Sequence, residues 1–132
     1  RENNMSTTST RPPGKTTVAT SVLLTIAGLT TLKVEGVSRM CPLPGGVNRL
    51  FQKGDYRDGV HIKIEDDRVF ADLYVVLQHD VNIRDMSRNI QQAVQRAFSE
   101  MVGMEVGRIN VHIENIDYPF LEEGVAEELG IE

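Results

Sequence analysis

The sequence predicts an α+β domain, a two-layer sandwich of roughly α-β-β-α-β order, with a long amphipathic helix packed across a small, mostly antiparallel sheet. Three observations carry this. Residues 60–65 and 69–77 alternate apolar and polar side chains across a polar turn, the mark of two half-buried antiparallel strands. Residues 83–102 hold one apolar stripe at three- and four-residue spacing. Ile109, Val111 and Ile113 then alternate with Asn110, His112 and Glu114. A chain of 132 residues suits one domain and can bury about two thirds of its unfolded surface.

The elements follow in order. Residues 1–17 are rich in Ser, Thr, Asn, Pro and Gly and are expected to form a disordered leader, since they offer too little apolar surface to offset the entropy of ordering. Residues 18–119 form the expected domain, and 120–132 an acidic tail. Val18, Val22, Ile26 and Leu29 fall on one helical face, with Thr20, Gly28 and Thr31 opposite and Leu24 off the pattern. Core helix is the reading taken. A signal segment behind Arg11 and Lys15 is the alternative, as is a membrane span. Fifteen residues of helix reach only about 22 Å, short of a hydrocarbon core of about 30 Å, so no direct span is expected.

Residues 33–37 suggest a short extended piece, and 38–58 an irregular loop broken by Pro42, Pro44, Gly45, Gly46 and Gly54. Leu50 and Phe51 are expected to tuck onto the core. Val60, Ile62 and Ile64 point inward from the first strand, with His61 outward. Val69, Ala71, Leu73, Val75 and Leu77 point inward from the second. Asp80 and Asn82 are candidate caps for the long helix, and Asp85 suits the positive end of its dipole. Met86, Ile90, Ala93, Val94, Ala97, Phe98 and Met101 make the stripe, with Gly103 as the C-cap. The last strand ends at Pro119 and pairs with its neighbour in either sense.

The net charge of −5 is unevenly placed: residues 121–132 carry five glutamates and no base. The remainder is nearly neutral, unlike the strongly basic balance of a nucleic-acid binder. Cys41 is the only cysteine, so no disulfide forms within one chain, which fits a reducing compartment.

Several segments together resemble a known family. They are Gly59-Val60, Ala71-Asp72-Leu73-Tyr74-Val75-Val76, Val81-Asn82-Ile83, Asn89-Ile90-Gln91, Gly103-Met104-Glu105-Val106 and Ile109-Asn110-Val111-His112-Ile113. Ile26-Ala27-Gly28 and Val34-Glu35-Gly36-Val37 extend the likeness to about residues 20–118. This pattern is similar to the alkaline-shock-protein (Gls-type) envelope stress response family. The resemblance implies a small bacterial α+β domain with no known reaction, cytoplasmic, in some members peripheral at the cell membrane. It implies self-association into a homo-oligomer and attachment to a membrane-anchored protein. The Ser/Thr/Pro-rich leader and Cys41-Pro42-Leu43-Pro44 depart from that pattern.

Other chemistry has weak signals. His61 and His112, with Cys41 or Asp72, would be the pieces of a metal site, but no ligand spacing joins them, and solvated strand histidines are the reading taken. Gly14-Lys15-Thr16 lacks the first glycine of a phosphate loop, with Ser9 in its place. The acidic pairs Asp66-Asp67, Asp55/Asp58 and Glu122-Glu123 fall in turns and tails, where solvent keeps carboxyls ordinary. No catalytic residue, metal or cofactor is expected.

Two surfaces remain. Phe70, Tyr74 and Val76, joined by Ile116, form an apolar outer face on the long strand, covered either by the chain itself or by another subunit. Arg84, Arg88 and Arg96 line the outer face of the long helix. The expected function is a non-enzymatic envelope stress response module acting through self-association and a membrane-anchored partner. The alternative is a small nucleic-acid-binding domain using the arginine face, disfavoured because no stacking aromatic accompanies those charges.

Overall fold

In the computed structural model, which describes residues 13–44 and 53–118, two helices and five strands follow one another. They are α1 (Thr20–Lys33), β1 (Val37–Met40), β2 (Asp55–Arg57), β3 (Val60–Glu65), β4 (Arg68–Gln78), α2 (Ile83–Ala97) with a widened turn at Phe98–Val102, and β5 (Glu105–Asp117). The leader up to residue 12, Leu50 and Phe51, the strand end at Pro119 and the acidic tail lie outside the described residues.

Two tight turns build the sheet. Asp66 and Asp67, both at positive φ, join β3 to β4, and Asp58 and Gly59 join β2 to β3 in the same way. Two residues at positive φ match the twist of antiparallel strands. β4 is the spine. β5 pairs with it in parallel along its length, while β3 and β1 pair antiparallel on its other side, end to end. Where those two meet, the Tyr74 N–H donates to the Gly59 carbonyl and the Cys41 N–H donates to the Tyr74 carbonyl, each at 2.8 Å. The strand sense left open by the sequence is therefore parallel for β5, with α2 as the crossover that such a pair requires.

Both helices pack on one face of this sheet. Val69, Ala71, Leu73, Val75 and Leu77 meet Leu23, Leu24 and Ala27 from α1, and Met86, Ile90, Val94 and Phe98 from α2 and its end. Each large side chain so buried contributes about 1.5–3 kcal/mol before entropy is subtracted. The Asn82 side chain caps α2 by accepting from the Asp85 N–H at 2.9 Å. Asp80 instead occupies the preceding turn, at positive φ. Gly103, at φ 74°, ends the helix, its N–H donating to the Phe98 carbonyl at 3.1 Å.

Several expectations change. α1 buries Leu23, Leu24, Ala27 and Thr31, leaving Val22 and Leu29 exposed. Apolar residues surround this helix, so spacing alone does not choose a face. Thr31 enters the core because its hydroxyl donates to the Ala27 carbonyl at 2.7 Å. The extended piece begins at Val37, after a turn through Gly36. That glycine sits at φ 104°, and a Cβ there would lie 2.6 Å from the Met86 sulfur. Met101 is 70% exposed, because the widened turn rotates it off the stripe. Ile64 is 43% exposed near the tip of the β3–β4 hairpin.

Candidate interaction surface

With both helices on one side, alternation along the strands sends a second set of side chains to the opposite face. Phe70, Asp72 and Tyr74 from β4 stand there between His61 and Lys63 of β3 and Asn110 and His112 of β5. The register pairs His61 with Asp72, Asp72 with Asn110, and Tyr74 with His112.

Asp72 is the centre of this face. One carboxylate oxygen accepts from Asn110 Nδ2 and faces His112 Nε2, both at 3.0 Å, and the other faces His61 Nδ1 at 3.2 Å. Burial alone would raise its pKa. The hydrogen bonds with His112, Asn110 and His61 outweigh that and hold the carboxyl below 3.8. His61 is 7% exposed, so it is a buried histidine rather than a solvated one. Its second nitrogen lies 2.8 Å from the Lys53 carbonyl, so both ring nitrogens face oxygen acceptors. His112 stacks on Tyr74, with ring centroids 4.4 Å apart and planes 11° from parallel. Burial, then the negative charge of Asp72, pushes the Tyr74 phenol up.

Phe70 is supported from beneath. A Cβ on Gly107 would come within 2.4 Å of the Phe70 ring, so glycine is what lets the ring lie on β5. The Lys63 ammonium lies 5.1 Å from the same ring's centroid. Neither Gly107 nor Asn110 stood out in the sequence as a site residue. An isolated glycine inside a strand pattern was the available signal for a bulge or close approach.

The sequence-predicted surface is thus only partly assembled. Phe70 and Tyr74 share the face turned away from the helices and are half-buried. Val76 is 1% exposed, so it presents nothing to a partner. Beside it Arg39, its register partner on β1, reaches across to Asp117 on β5 at 3.4 Å, and Ser38 donates to the same carboxylate. Those two contacts, the Ser38 hydroxyl first, hold the Asp117 carboxyl below 3.8. Ile116 is on the helix side. A bulge in β5 between the Val75 and Val76 pairings places Ile116 opposite Leu77, reversing the alternation that had put it outside.

Arg84, Arg88 and Arg96 are all exposed on α2. Arg88 lies 4.0 Å from Asp85 and Arg96 lies 3.8 Å from Glu100, both local pairs. Arg84 makes no ion pair among the described residues. Ile83, Arg84, Ser87, Arg88 and Gln91 border a shallow groove with Val111 and Ile113 of β5.

Among the described residues no group of three or more His, Cys, Asp or Glu side chains is arranged to hold a metal ion. The carboxylate of Asp72 occupies the space between the two histidines instead. No helix among the described residues is long and apolar enough to cross a membrane.

Comparison with known proteins gives the wider setting. The chain is 34% identical over 104 residues to the uncharacterized protein Spy1535 of Streptococcus pyogenes serotype M6, covering 78% of this chain and 79% of that one. It is 29% identical over 106 residues to the uncharacterized protein YqhY of Bacillus subtilis, covering 80% and 78%. Among solved structures it is similar to the MamM CTD, with TM-scores of 0.46 and 0.47 at 14% and 12% identity. Those matches cover 72% and 74% of this chain and 95% and 99% of the others. The sequence model of the alkaline shock protein 23 family, described by its cell envelope-related function, matches residues 8–118. A match over that much of the sequence means that the chain belongs to the alkaline shock protein 23 family.

Proposed function

We propose that this protein is a non-enzymatic module of the envelope stress response, acting by self-association and by docking to a membrane-anchored protein. The family's cell envelope-related function supports the setting. The observation that carries the mode of action is the ordering of the sheet face turned away from the helices. Its rings are fixed in place by stacking and by the Asp72 hydrogen bonds rather than left to move in solvent. Ordered, half-buried aromatic side chains held in a fixed pose are what a protein contact uses. On this reading the protein works in the cytoplasm and reaches the membrane peripherally, through its partner.

The experiment is equilibrium sedimentation of the wild type and of Tyr74→Glu, with far-UV circular dichroism to confirm that both fold. Self-association of the wild type that weakens in the variant is the expected outcome. Monomers in both, up to the highest soluble concentration, would remove the self-association reading. The nucleic-acid alternative predicts RNA binding that falls with salt and is lost on replacing Arg84 and Arg88.

A further inference from the structure

β5 is held by β4 along one side, and its other side has no strand partner among the described residues. An open edge of this kind is a template for another strand. Gln91 already donates to the Ile109 carbonyl at 3.0 Å, so a side chain meets a backbone acceptor where the groove under α2 begins.

The sequence of β5 is close to palindromic in character about Val111. Ile109 mirrors Ile113, Val106 mirrors Ile116, Asn110 mirrors His112, and Arg108 mirrors Glu114. The irregularities mirror too. One lies in the pairing between Val106 and Ile109 and the other between Ile113 and Asn115, leaving residues 109–113 as the regular stretch between them. Arg108 and Glu114 are both exposed, and neither makes an ion pair among the described residues.

We propose that two copies of this chain join through these edges, antiparallel about a twofold axis at Val111, with Arg108 of each copy opposite Glu114 of the other. This rests on the self-association reading above and names its surface. Such an interface is isologous and closes as a dimer. The two β-sheets become one continuous sheet with all helices on one side. Ile83, exposed at the groove, and the half-buried Val111 and Ile113 then gain cover from the second copy. The bulges end the regular pairing at 109 and 113, and Arg108 and Glu114 stand just beyond its two ends. Of the registers centred on residues 110, 111 and 112, only the one on Val111 sets Arg108 against Glu114.

Charge exchange tests this. The full chain, Arg108→Glu, Glu114→Arg and the double exchange are compared by sedimentation at low ionic strength, with circular dichroism as the check of folding. Cross-strand charge pairs are attractive when opposite and repulsive when alike, and each occurs twice in the dimer. Each single reversal is expected to weaken dimerisation by about tenfold or more, and the double exchange to restore it. A wild-type dimer indifferent to both single reversals would overturn the edge while leaving self-association standing. A wild type that stays monomeric would instead remove the underlying reading. A dimer lost on deleting residues 119–132, yet insensitive to the charge exchange, would move the interface from β5 to the tail.

Discussion

Replacing Asp72 by Ala removes the acceptor around which the face opposite the helices is organised, and its cost can be worked from the contacts. Three groups lose a partner: His61 at 3.2 Å, Asn110 at 3.0 Å and His112 at 3.0 Å. Asn110 is exposed, so water replaces its lost partner at little cost, and His112 is partly open to water as well. His61 is buried, so losing its contact with the carboxylate costs about 1–3 kcal/mol. The Asp72 side chain is itself 26% exposed, which places the three charge-assisted contacts at the lower end of their range. The total comes to about 2 kcal/mol, a substantial share of the roughly 5–15 kcal/mol of a domain. Urea unfolding at neutral pH should show a lower midpoint with an unchanged slope.

The pH dependence supplies a second readout. The folded carboxyl titrates below 3.8, so on acidification the unfolded chain takes up the proton first. The stabilisation from the ionised group is complete above 3.8 and is lost as the pH falls through the lowered folded value. The gap between wild type and Asp72→Ala should therefore persist down to about pH 4 and narrow below it. A loss under about 0.5 kcal/mol at neutral pH would refute the view that Asp72 organises this face.

Two further perturbations test the core and the ring support. Ile90 is fully buried, so Ile90→Ala should cost about 2–5 kcal/mol in urea unfolding, and Ile90→Asp should leave no cooperative transition. Gly107→Val should destabilise by about 2 kcal/mol through its clash with Phe70, and most of that loss should vanish when Phe70→Ala is added. Additive costs in that double-mutant cycle would mean that the ring does not rest on Gly107.

What the sequence disclosed depended on how many levels of structure each signal involved. β4 was legible because period-two alternation and burial agree at Val69, Ala71, Leu73, Val75 and Leu77. α2 was legible because Met86, Ile90, Val94 and Phe98 make a single stripe. The face of α1 was not, since an apolar helix offers several equivalent stripes and its neighbours decide between them. β2 is hidden in the sequence although Asp58-Gly59 is a two-residue hairpin signal, because the glycines and prolines around it read as a loop. Ile116 was misplaced by a bulge, which a strict period of two does not register. Asp72, His61 and His112 each stand out in the sequence, but the carboxylate's position between the rings follows from register across three strands, and register is a tertiary property.

Tyr74 stands where β1 and β3 abut on the spine, its N–H fastened to one and its carbonyl to the other. Its backbone is therefore stapled from two separate segments, and its ring is braced against an imidazole. A side chain so anchored surrenders little motional freedom when another molecule arrives, so contact there carries a small ordering penalty. The same anchoring makes the ring's pose report on the chain on either side of it. A disturbance that parts Cys41 from the spine would tilt the surface the protein displays.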